Sequence, residues 1–137
     1  MTRPVLQRDV LILACAISAG IHAALVPEHL EEGRAAAGGF AVSAVLLAAL
    51  AIALTYRVTP ILLFSAGALM TGLLVSYALA ITTGVPILTG VPILHPDVEP
   101  VEGLALFTKA VEIAGLVAAV DLLVPNLPIR HPKGALA

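Results

Sequence analysis

Four stretches of this sequence, 10–26, 35–56, 60–82 and 103–124, are dominated by Ala, Leu, Val and Ile. At 1.5 Å per helical residue each is long enough to cross most or all of the roughly 30 Å of hydrocarbon in a bilayer. Hydrocarbon offers no water to satisfy backbone N–H and C=O groups, so a chain crossing it four times must be helical in every crossing. The second and third stretches contain no charged residue at all. With 60 % hydrophobic and only 12 % charged residues, the chain lies far from the composition of a water-soluble domain. The expected fold class is all-α: one integral membrane domain spanning 1–137, a bundle of four transmembrane helices with a loop over 83–102.

Arg3 and Arg8 before VLILAC invite comparison with a signal peptide ending in a lipoprotein-type cysteine. The apolar run before Cys15 covers only Val10 to Ala14, too short for such a segment, and it continues past the cysteine to Val26. The first stretch therefore reads as a transmembrane helix, one that borrows from the EHLEE segment beyond Pro27.

Positive charge sets the expected orientation, because Lys and Arg close to transmembrane ends stay on the cytoplasmic side. Arg3, Arg8, Arg57, Arg130 and Lys133 all belong to one side of a four-pass chain. The opposite loops carry Glu28, His29, Glu31, Glu32 and Arg34, then His95, Asp97, Glu99 and Glu102. This places both termini in the cytoplasm of a multi-pass cell-membrane protein. A net charge of −2 with seven scattered Lys and Arg provides no basic stripe for a nucleic-acid partner. The partners expected are the lipid bilayer and other membrane-protein subunits or further copies of the chain.

Two patterns read as structural. Ala35, Gly39 and Ser43 recur every four positions, as small residues do where helices approach closely. Between the third and fourth stretches, Gly84-Val-Pro-Ile-Leu is followed by Gly90-Val-Pro-Ile-Leu. Its prolines exclude regular helix, and a duplicated interfacial loop accounts for it better than a lid over a site.

Chemistry concentrates in two places. At the outer end of the first helix, His22 and His29 are seven positions apart and share a face if the helix persists through Pro27, with Glu32 three beyond His29. Pro27 is expected either to kink that helix or to begin a new one. In the fourth helix, Lys109 and Glu112 are three apart inside an apolar span, where charged groups are costly and face a partner, a protein interior or water. Asp121 lies close to the cytoplasmic end, within reach of water or Arg130, and is set aside. Imidazoles with carboxylates at one end of a bundle suit zinc, copper, iron or manganese. The expected ligands are His22, His29, Glu32 and Glu112, supported by Glu28 and Lys109. Against this, the acidic segment around His29 also reads as a solvated cap, and Lys109 with Glu112 as an ion pair that fixes packing. Depth poses a difficulty, since Glu112 should lie roughly 14 Å inside its helix and His22 only roughly 6 Å inside a helix that ends near residue 26.

The segments HAALVPEHLEE and GLALFTKAVEIAGL resemble those of an uncharacterised group of small actinobacterial-type multi-pass membrane proteins. The likeness lies in a His-x4-Pro-Glu-His-x2-Glu segment, matched by His22, Pro27, Glu28, His29 and Glu32, and a Lys-Ala-x-Glu segment, matched by Lys109 and Glu112. The second segment is one residue shorter here and lacks an acidic residue near Leu106. The resemblance covers about a third of the chain and implies a shared site without assigning a reaction.

Sequence reasoning thus favours transition-metal binding near the outer face and leaves open whether the chain is an enzyme. Two other classes fit the same residues: a noncatalytic accessory subunit whose intramembrane charges pair with a larger complex, and a small proton-coupled carrier in which Glu112 titrates.

Overall fold

The computed structural model describes residues 3–83 and 102–124, apart from the side chains at 32 and 83. The described residues form four α-helices: α1 (Arg3–Glu32), α2 (Arg34–Tyr56), α3 (Pro60–Thr83) and α4 (Gly103–Leu123). All four are long and apolar enough to cross a membrane. The architecture is that of a multi-pass membrane protein. The paired GVPIL segments, His95, Asp97, Glu99, Arg130 and Lys133 lie outside the described residues.

Three of the helices match their sequence-derived bounds closely, whereas α1 begins seven residues earlier than expected and, with the expected borrowing from EHLEE, runs past Pro27 to Glu32. Pro27 lies inside α1, which is assigned as one continuous helix. Proline in a helix interior removes one backbone hydrogen bond, a loss this helix accommodates without ending. A single-residue break then turns the chain into α2, and three residues, 57–59, lead from α2 to α3. Gly33 separates α1 from α2 with an extended backbone, and its N–H still donates to the His29 carbonyl at 3.0 Å.

Surface and core are arranged as lipid requires. Large apolar side chains such as Leu13, Val45, Ile52, Ile61, Phe64 and Val117 point outward. The centre is lined mainly by smaller groups: Ala14, Cys15, Ser18 and Ala19 on α1, Ala66 on α3, and Gly115, Ala118 and Ala119 on α4. Without a hydrophobic drive between helices in lipid, close backbone approach supplies the packing. Gly115 marks the tightest point, because a Cβ there would sit 2.7 Å from the Ala14 Cβ and 2.5 Å from the Met70 Cε.

The buried face of α2 is Ala37, Ala44, Leu47, Ala51 and Leu54, a three-and-four spacing suited to nearly parallel helices. This corrects the expectation for Ala35, Gly39 and Ser43. Ala35 and Gly39 are exposed, and nothing lies within 4 Å of a Cβ built on Gly39. Helix α1 is the hub, packed against both α2 and α4; α4 also packs on α3, whereas α2 and α3 meet only lightly. The light seam leaves an apolar furrow lined by Leu46, Leu50, Leu62 and Leu69, remote in character from the polar residues described next.

At the amino end of α1, the residues preceding the expected span clasp its neighbours. Gln7 donates to Asp121 Oδ2 at 2.6 Å, Arg3 approaches the same oxygen at 3.4 Å, and Arg8 donates to the Thr55 carbonyl at 2.6 Å. Asp121 is thus anchored by α1, away from the residues of chemical interest.

Candidate functional site

The buried stripe of α1 runs through Leu11, Cys15, Ser18 and His22, and that of α4 through Thr108, Glu112, Gly115 and Ala119. Helical periodicity therefore aims His22 and Glu112 at the same α1–α4 contact as the small residues. Close backbone approach around Gly115 and Ala14 brings them together. His22 is 5 % exposed and Glu112 is fully buried.

The unbroken α1 removes the expected mismatch in depth. Because the helix continues to Glu32, His22 stands ten residues before its end and Glu112 nine residues after the start of α4. At 1.5 Å per residue these are roughly 15 Å and roughly 14 Å. The two side chains share a level, with His22 Nε2 4.0 Å from Glu112 Oε1.

Glu112 is satisfied by two donors. Lys109 Nζ lies 2.6 Å from Oε2, and Ser18 Oγ donates to Oε1 at 3.0 Å. Lys109 also sits 5.3 Å from the ring centroid of Tyr77 on α3, an arrangement in which the π face supports the ammonium. The Tyr77 hydroxyl is buried and has no hydrogen-bond partner among the described residues.

His22 is oriented from its own helix. A carbonyl can only accept, so the 2.9 Å contact between His22 Nδ1 and the Ser18 carbonyl places a proton on Nδ1. The other ring nitrogen, Nε2, faces Glu112 Oε1 at 4.0 Å. In a neutral ring both of those atoms are acceptors, and neither can donate to the other. The charges of Lys109 and Glu112 cancel. His22 is then the member of the cluster whose charge is not set by a partner.

Of the residues expected as metal ligands, the structure brings His22 and Glu112 together, with Lys109 in support. His29 does not join them. It lies seven residues further along α1, its Nδ1–H donates to the Leu25 carbonyl at 2.9 Å, and its ring packs 4.0 Å from that of Phe40 on α2. Phe40 in turn lies 5.5 Å from the His22 ring. The side chain of Glu32 is outside the described residues, and Glu28 is exposed. Among the described residues no three His, Cys, Asp or Glu side chains gather as a metal ion would require. The four-ligand set expected from sequence is therefore not assembled among the described residues, since seven residues of helical rise and an aromatic ring keep the two imidazoles apart.

No protein-family model, curated protein or solved structure matches this chain. The residues themselves carry whatever can be said of function. Ser18, Phe40 and Tyr77 were not singled out as site residues in the sequence. Ser18 had a usable signal, being one turn before His22 on the same stripe. The other two belong to helices whose contribution depends on packing.

Proposed function

We propose that this chain is a membrane protein that takes up and releases a proton at the intramembrane His22–Glu112 pair, as the working site of a small proton-coupled carrier. The observation that carries this reading is the 4.0 Å separation of His22 Nε2 from Glu112 Oε1, with the Nδ1 proton already held by the Ser18 carbonyl. One added proton on Nε2 turns two facing acceptors into a donor and an acceptor. It also raises the charge of the cluster by one, the kind of change that a conformational equilibrium in low dielectric responds to.

Two competing readings lose support on the same geometry. A metal ion would have to be held by one imidazole and a carboxylate whose oxygens already accept from Lys109 and Ser18. An accessory subunit that offers its charges to a larger complex would have to break the internal pair first. In our reading both termini are cytoplasmic. Arg3, Arg8 and Arg57 are grouped at one end by the reach of Arg8 to the last turn of α2, which supports that orientation.

The test uses purified protein in lipid nanodiscs with 15N-labelled histidine. His22 should pass from a neutral to a cationic ring on acidification, with a parallel change in the Glu112 carboxylate absorption, and His22→Gln should abolish both. A His22 ring whose charge stays fixed across the range in which imidazoles titrate would overturn the proposal. Stoichiometric metal in the parent that is lost in His22→Ala would return the site to metal binding.

A further inference from the structure

His22 and His29 share a face of α1, and seven residues of helix correspond to a rise of roughly 10.5 Å. Phe40 lies 5.5 Å from one ring and 4.0 Å from the other, centroid to centroid, tilted by 38° and 37°. The phenyl ring thus packs against both imidazoles, and Phe40, six residues into α2, stands at a depth between His29, three residues from the end of α1, and His22, ten residues from it. His22 is buried, whereas Phe40 and His29 are both half-buried. Among the described residues, the other polar groups near His22 are Ser18 on its own helix and Glu112 and Lys109 on α4, with Tyr77 of α3 against Lys109.

We infer that Phe40 is the plug that controls exchange between water at the α1 carboxyl end and the buried His22–Glu112 pair. The inference rests on the proton reading for its purpose, but its geometry can be tested without it. An apolar ring packed against both imidazoles offers no hydrogen-bonding atom of its own to a proton passing between them. Exchange then requires the ring to turn aside, a local opening with its own free-energy cost.

The measurement is hydrogen–deuterium exchange of the His22 ring N–H in nanodiscs. Phe40→Ala should speed exchange by about tenfold or more, since even ~1.4 kcal/mol less opening cost gives that factor. Phe64→Ala, on a lipid-facing side chain 66 % exposed, should leave it unchanged. Should the alanine variant lose helix protection, Phe40→Leu and Phe40→Trp decide the matter, with exchange expected in the order Leu, parent, Trp from fastest to slowest. Equal rates across the Phe40 series, or equal acceleration by Phe64→Ala, would overturn the plug. The proton reading fails separately, if the parent His22 takes up no proton on acidification whatever its exchange rate.

Discussion

Replacing Glu112 by Gln removes one charge at nearly constant volume and tests whether the buried pair holds α4 in place. At 2.6 Å the Lys109–Glu112 attraction is gross roughly 6 kcal/mol for an effective dielectric of about 20, much of it offset by the desolvation of both ions. Losing one partner of a buried pair characteristically costs about 3 to 5 kcal/mol, because the survivor keeps its desolvation and loses its compensation. Lys109 retains 15 % side-chain exposure and the new amide oxygen still accepts from Ser18, so the lower end applies. We expect a loss of about 3 kcal/mol, about a hundredfold in the folding equilibrium. Reversible unfolding in bicelles, followed by circular dichroism, measures it. Lys109→Met should cost a comparable amount, and the double variant little more than either alone, giving a coupling on the order of 2 kcal/mol. Additive single variants, or a Glu112→Gln protein within about 0.5 kcal/mol of the parent, would refute the buried pair.

Gly115→Ala should destabilise the bundle by about 1 to 3 kcal/mol in the same assay, the usual cost of overpacking, because the Ala14 Cβ cannot move without its helix. Ala14→Gly should recover part of that loss, whereas Gly20→Ala, with nothing within 4 Å, should be close to neutral. Reporter fusions after Arg57 and after Lys133 should both read cytoplasm and one near Asp97 the exterior; a cytoplasmic signal at Asp97 would reverse the assignment of sides.

The helices were legible in the sequence because hydrocarbon permits one backbone solution, and the apolar runs mark where it applies. The bounds of α1 were less so. Residues 3–9 are polar enough to read as a flank, yet Gln7 and Arg8 find acceptors on α4 and α2, and at the other end Gly33, not Pro27, is where the chain turns. The meeting of His22 with Glu112 followed from the cost of leaving either alone in a small bundle. That His29 stays apart did not, because it depends on Phe40, whose place is fixed by how α2 rotates against α1. The small-residue repeat on α2 misled for the same reason: in a chain so rich in alanine, which stripe turns inward is decided by fit, and Ala37, Ala44 and Ala51 fit.

The hub position of α1 bears on how the chain is made. Helices leave the ribosome in order, so Ser18 and His22 are already in the bilayer when α4 arrives with Lys109 and Glu112. A lysine inside a nascent span costs up to about 2.5 to 3.5 kcal/mol at the span's centre and less toward its ends, where Lys109 lies, six residues into α4. Ser18 offers the incoming Glu112 a prepared donor, and Glu112 in turn compensates the charge of Lys109. Insertion of the last span is thereby tied to the first, because the donor that meets Glu112 is carried by α1.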